Sequence, residues 1–192
     1  MAVRALLFDL DGTLWDSHPW YASLADDREG FLDTLREGKP VATLFRRVGI
    51  TPARFGCLCR GNISSLVLYP GVRETLEAVS AQGVPLGVAT NLPRWIAGPM
   101  LESAGVMGHF RTVVDYGRTC RRKPYPDPLL AALGDMNLAA DTDIWYVGDS
   151  PQDLRAAMSA GLSFAWAAYG YCSDSLSGCD AVLHRFQDVL VL

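Results

Sequence analysis

Phe8-Asp9-Leu10-Asp11-Gly12-Thr13-Leu14 is the stretch on which the reading of the fold turns. It closes a short apolar run, Ala5-Leu6-Leu7-Phe8, with two aspartates two residues apart. In extended chain that spacing puts both side chains on one side. Gly12 then lets the chain turn sharply. A continuous apolar run of this length suits a strand buried on both faces. Similar runs recur downstream, and most close on a small, hydroxyl or acidic residue. Pro85-Leu86-Gly87-Val88-Ala89 ends at Thr90, and Thr112-Val113-Val114 ends at Asp115. Ile144-Trp145-Tyr146-Val147 ends at Gly148-Asp149, and Leu162-Ser163-Phe164-Ala165-Trp166 ends near Ala168. Ala181-Val182-Leu183 reads as a short last strand before a terminal helix.

Helical patterns fill the intervals. Gly71 to Ala81 predicts a helix stopped by Gly83, and Leu92 to Ala104 one stopped by Gly105. Asp127 reads as an N-cap with Pro128 behind it, opening a helix that runs to about Asn137. Ser150 reads as another N-cap, followed by Pro151, with Gly161 as the stop. Strands alternating with helices predict an α/β fold, a Rossmann-like doubly wound parallel sheet covered on both faces. Residues 16–69 break the rhythm. Their apolar spacing is helical through Trp20, Leu24, Phe31, Leu35, Val41, Leu44, Phe45 and Val48, with turns at Gly38-Lys39-Pro40 and Gly49-Ile50-Thr51-Pro52. The expected organisation is a core of residues 1–15 and 70–192 with a small all-helical cap of residues 16–69 inserted after the first strand.

Composition narrows the function classes. The 192 residues carry 17 basic and 21 acidic side chains, a formal charge of −4, so a nucleic-acid surface is not expected. Lys39 and Lys123 are the only lysines. The five cysteines, Cys57, Cys59, Cys120, Cys172 and Cys179, are odd in number and scattered, which disfavours a secreted disulfide framework and completes no zinc spacing. No run approaches the roughly 18 apolar residues of a membrane span, and residues 3–8 run into the acidic motif without room for a signal peptide. A cytoplasmic protein with no membrane or nucleic-acid partner is expected, as a monomer or homodimer.

Ligands of an open parallel sheet bind beyond the carboxyl ends of its strands. Asp9, Asp11, Thr90, Lys123 and Asp149 all fall there, a combination that points to phosphate chemistry. Carboxylates hold Mg2+, which also takes substrate phosphate as a ligand. Mg2+ and Lys neutralise charge on phosphoryl oxygens. A carboxylate also serves as nucleophile, giving an aspartyl-phosphate, and a second acid protonates the leaving oxygen and later activates water.

Those residues carry a resemblance. The Phe8–Leu14 stretch resembles the first motif of the haloacid dehalogenase superfamily. Val88-Ala89-Thr90-Asn91 resembles the second, Lys123-Pro124 the third, and Gly148-Asp149-Ser150-Pro151-Gln152-Asp153 the fourth. The match covers residues 3–15 and 69–170, in the family's order, and is nearest to the phosphoglycolate-phosphatase-like subgroup with a helical cap. The resemblance implies Asp9 as nucleophile and Mg2+ ligand, and Asp11 as general acid and base with its backbone carbonyl on the metal. It implies Thr90 and Lys123 on the phosphoryl group, with Asn91 helping to position it. Asp149 becomes a Mg2+ ligand, and Asp153 supports the metal's outer shell or orients Lys123.

Local roles compete with some of these. Ser150-x-x-Asp153 is also a capping box, and Thr90-Asn91 also suits a helix cap. Arg118, Arg121 and Arg122 beside Lys123, and Arg46, Arg47, Arg54 and Arg60 in the insertion, are either substrate-reading groups or solvated charges. Trp15 lines the pocket or packs the hinge. Phosphonate-cleaving relatives use a cap lysine, but they lack the second aspartate present here as Asp11, and Gly38 and Pro40 around Lys39 suit a turn better than a buried amine. His18, His109 and His184 receive no role.

The expected function is a Mg2+-dependent phosphatase acting on a small phosphorylated metabolite through an aspartyl-phosphate. The alternatives are a phosphomutase or phosphotransferase on a sugar phosphate, and, less favoured, a phosphonate hydrolase or a non-catalytic binding protein.

Overall fold

The computed structural model describes residues 3–24, 51–172 and 175–192. Strands β1 (Ala5–Phe8), β2 (Leu86–Ala89), β3 (Thr112–Val114), β4 (Ile144–Gly148), β5 (Ser163–Ala167) and β6 (Ala181–Leu183) form one sheet in the order β3-β2-β1-β4-β5-β6. Every neighbouring pair is parallel. This is the expected doubly wound α/β architecture, with β1 at the centre and the chain progressing outward on either side of it.

Alternation along the strands builds two apolar layers. Leu6 and Phe8 of β1 join one cluster with Val72, Leu76 and Val79 of helix α3 (Val72–Ala81) and Ile96, Met100 and Leu101 of α4 (Arg94–Ser103). Ala5 and Leu7 point the other way. They join Leu129 and Leu133 of α5 (Asp127–Asp135) and Leu154, Ala156 and Ala157 of α6 (Pro151–Ala160). Burial on both faces explains why β1 reads as an unbroken apolar run rather than an alternating one.

The helix boundaries differ from expectation where local bonding decides them. Helix α5 is capped by Pro126, whose carbonyl accepts from Leu129 N and Leu130 N, so Asp127 is already helical. The Asp127 carboxylate accepts instead from Arg121 Nε at 3.0 Å. The helix ends at Asp135, before Asn137. Helix α4 starts only at Arg94, because Pro93 is extended and Leu92 N–H bonds the Thr90 hydroxyl at 3.1 Å. The terminal helix is a short 3₁₀ segment, Phe186–Val191.

Of the insertion, helices α1 (His18–Ser23) and α2 (Pro52–Asn62) are described, the latter capped by the Thr51 hydroxyl. The readings placed on Phe31, Leu35, Lys39, Val41, Leu44, Phe45, Arg46, Arg47 and Val48 lie outside the described residues. The two crossings between core and insertion lie side by side: Trp15 bridges Leu68, and Tyr69 N donates to Leu14 O at 2.8 Å. Trp20, Tyr21 and Cys59 share the apolar cluster of α3 and α4. Gly56 of α2 sits so close to Trp95 that a Cβ there would meet its ring at 3.2 Å.

Candidate active site

The parallel register brings several strand ends to one edge. Asp9 follows β1 directly, and its N–H still completes the ladder to Val147 O at 2.9 Å. Thr90 follows β2, bonded through its N–H to Val114 O, and Asp149 follows β4. All three side chains are buried, as are Lys123 and Asp153.

Lys123 is the hub. Its Nζ lies 2.7 Å from Asp9 Oδ1, 2.7 Å from Asp153 Oδ1 and 2.7 Å from the Tyr146 hydroxyl. Three partners match the three protons of an ammonium. Burial works against that charge, but Asp153 and Asp9 outweigh it and hold the Lys123 pKa above the ordinary lysine value. Tyr146 OH in turn donates to Ala89 O at 2.8 Å, while Asp153 Oδ1 lies 3.1 Å away. The Asp153 alternatives therefore coincide. Oδ2 accepts from Ser150 N and Ser150 Oγ in a capping box at the start of α6, and Oδ1 orients Lys123.

The Asp149 carboxylate accepts one hydrogen bond among the described residues, from Tyr171 N at 2.8 Å. Gly12, at φ +75°, leaves room for it: a Cβ there would lie 2.2 Å from Asp149 Oδ2. Burial pushes the Asp149 carboxyl well above the ordinary value, reinforced by the charges of Asp153 and Asp9. Burial likewise raises Asp9, to about 7, with Lys123 pulling against it.

Asp11 faces elsewhere. Its Oδ1 accepts from Trp15 Nε1 at 2.9 Å and its Oδ2 from Tyr21 OH at 3.0 Å. Burial pushes its pKa up, opposed by the hydrogen bonds from Trp15, Ser17 and Tyr21.

Asn91 is bound on both sides of its amide to the Lys123 backbone. Nδ2 donates to Lys123 O at 3.2 Å, and Oδ1 accepts from Lys123 N at 3.1 Å. It thus pins the loop that carries the lysine. The neighbouring arginines are engaged locally: Arg118 with Asp135, Arg121 with Asp127, and Arg122 over the Tyr116 ring. Arg54 and Arg60 in α2 are exposed. His18 stacks on Tyr171 with ring centroids 3.5 Å apart.

Two tyrosines escaped the sequence reading. Tyr146 looked like filler in an apolar strand; its signal was a hydroxyl three residues before Asp149. Tyr171 lies just past the end of β5, at the edge where ligands bind. Tyr146→Phe is expected to cost about 1–3 kcal/mol in urea unfolding, since Lys123 and Ala89 each lose a buried partner.

The residues fit a divalent cation. Oxygens of Asp9, Asp149 and Asp153 lie within 4.8 Å of one another. Three buried carboxylates around one ammonium leave negative charge uncompensated in a medium where it is costly. Hard oxygen donors are what Mg2+ takes.

The haloacid dehalogenase-like hydrolase family model matches residues 60–167. A phosphoglycolate phosphatase of Pectobacterium atrosepticum is 33% identical over 217 residues, covering 100% of this chain and 92% of the relative. A predicted phosphoglycolate phosphatase of Haemophilus somnus, known by crystal structure, superposes with a TM-score of 0.84 at 28% identity, covering 98% of this chain and 96% of the other. CbbY of Rhodobacter sphaeroides, solved with phosphate, shares the fold at a TM-score of 0.77 and 19% identity, over 97% and 96% of the two chains. The chain belongs to the haloacid dehalogenase-like hydrolases. Within them it is a phosphatase-type enzyme of the phosphoglycolate-phosphatase-like group. Among the described residues no helix is long and apolar enough to cross a membrane.

Proposed function

We propose that this protein is a Mg2+-dependent phosphatase that hydrolyses a small phosphorylated metabolite through an aspartyl-phosphate on Asp9. The observation that carries the reading is the buried Asp9 carboxylate at the end of β1, 2.7 Å from Lys123 and grouped with Asp149. Asp9 attacks phosphorus and the bond from phosphorus to the leaving oxygen breaks. The Asp11 carboxyl gives that oxygen its proton. Water then attacks the aspartyl-phosphate, Asp11 takes the water's proton, and inorganic phosphate leaves with the Asp9 carboxylate restored. Lys123 and Thr90 hold the phosphoryl oxygens, and Asn91 positions the loop of Lys123. Asp9, Asp149 and the Asp11 carbonyl would hold Mg2+, which supplies charge neutralisation at those oxygens. Asp153 aims Lys123.

Residues 1–15 and 70–192 form the catalytic core in this reading, and residues 16–69 its cap. Cys57, Cys59, Cys120 and Cys179 as free thiols support a reducing, cytoplasmic setting. The test is phosphate release from a panel of phosphomonoesters with Mg2+, headed by phosphoglycolate because the relatives bear its name. Release from at least one supports the reading; release from none overturns it.

Asp9 also sets a pH dependence. Its carboxyl is raised from 3.8 to about 7 by burial, so its contribution to the stability of the metal-free protein is present below 3.8 and lost as pH rises through 7. Mg2+ requires the ionised form. Asp149, pushed up by burial as well, adds to this, so affinity for Mg2+ is expected to rise by at least about tenfold per pH unit below 7, with protons released on binding. Calorimetric titration in buffers of different ionisation enthalpy measures both. A pH-independent affinity would show that Asp9 is not a ligand.

A further inference from the structure

Asp11 accepts from Trp15 at one oxygen and from Tyr21 at the other, on opposite sides of the junction between core and insertion, and Ser17 adds a further hydrogen bond. Trp15 belongs to the turn that follows β1 and is tied to Leu68 where the chain returns. Tyr21 belongs to α1, the first helix of the insertion. Both side chains are fully buried, and each directs one polar hydrogen at a different oxygen of the same carboxylate. The carboxylate they bond is not among the three, of Asp9, Asp149 and Asp153, whose oxygens gather within 4.8 Å of one another.

We infer that Tyr21 and Trp15 are positioning residues that aim the Asp11 carboxyl, so that the placement of α1 decides whether the proton donor faces the leaving group. The inference rests on the reading of Asp11 as the acid. A carboxyl gripped at both oxygens has one orientation, while one gripped at a single oxygen turns about its Cβ–Cγ bond. Loss of either donor therefore misdirects the proton without disturbing the nucleophile, the lysine or the metal ligands.

This separates two kinds of substrate. An alkyl phosphomonoester leaves as an alkoxide and needs the proton as its bond to phosphorus breaks. 4-Nitrophenyl phosphate leaves as a stable phenolate and scarcely needs it. Tyr21→Phe keeps the ring and its packing and removes only the hydroxyl. It should lower kcat on phosphoglycolate, or on the best alkyl substrate of the panel, about tenfold, with kcat on 4-nitrophenyl phosphate within about twofold. In an Asp11→Asn background Tyr21→Phe should have no further effect, since coupled residues do not add. Trp15→Phe should repeat the pattern and carries the test if Tyr21→Phe fails to fold. Equal losses on both substrates, or additive losses in the double variant, would overturn the inference while leaving the phosphatase reading intact. An unchanged protein that cleaves neither substrate would overturn that reading and this inference with it.

Discussion

Asp9→Asn is expected to abolish turnover, by roughly 10⁴-fold or more, while the protein stays folded. The amide cannot attack phosphorus, and no neighbouring carboxylate replaces it. Asp153 is committed to Lys123 and Ser150, and Asp11 is turned toward Trp15 and Tyr21. Stability should hold for a separate reason. Burial lifts Asp9 to about 7, so near neutral pH the metal-free fold accommodates the uncharged carboxyl as well as the carboxylate, and a neutral amide is no stranger to the position. The amide oxygen still accepts from Lys123, and Asp153 still balances the ammonium. Phosphate release under saturating Mg2+, read beside a thermal melt, checks both halves. Activity within a hundredfold of the parent would exclude the aspartyl-phosphate.

Lys123→Met should damage both properties. The side chain is 2% exposed and, among the described residues, is the cation within hydrogen-bond distance of Asp9 and Asp153. Its removal leaves buried carboxylates facing one another and takes away a partner of the Tyr146 hydroxyl. Breaking a buried pair from one side costs about 3–5 kcal/mol, which in a chain of this size lowers the melting temperature by roughly 10 °C. Activity should fall by roughly 10³-fold or more, since the charge on the phosphoryl group loses its lysine. Added Mg2+ should restore part of the stability and little of the activity, because a cation relieves carboxylate repulsion but does not occupy the position of the ammonium. Full recovery of turnover with Mg2+ would show that Lys123 serves only the fold.

Much of this site was legible before any coordinate. Asp9, Thr90 and Asp149 each close an apolar run, and a residue at the end of a parallel strand stands at the ligand-binding edge whatever its long-range contacts. Ser150 and Asp153 were legible as a capping box because that motif is local, with both partners three residues apart. The helix starts were less accurate at Asp127 and Leu92. There the chain is held by Pro126 O and the Thr90 hydroxyl, bonds that local propensity does not reveal.

Tyr146 and Lys123 stand 23 positions apart in the chain, and Asn91 and Lys123 stand 32 apart. Nothing in either local stretch announces that one holds the other. Tyr171 reaches the Ser17 hydroxyl across 154 positions at 2.8 Å, and its backbone N–H reaches Asp149.

The sequence by itself determined the sheet, its parallel sense and the cluster of acids and lysine at one edge. These follow from burial and strand period, which are properties of short stretches. Only the tertiary structure decided where each carboxylate faces. Asp9 and Asp11 share one motif and a spacing that predicts a common side, yet Asp9 meets Lys123 while Asp11 turns to Trp15 and Tyr21. The turn that begins at Gly12 ends the extended chain that the spacing assumed. The direction of a side chain beyond a strand end is then set by the donors that the rest of the fold brings to it.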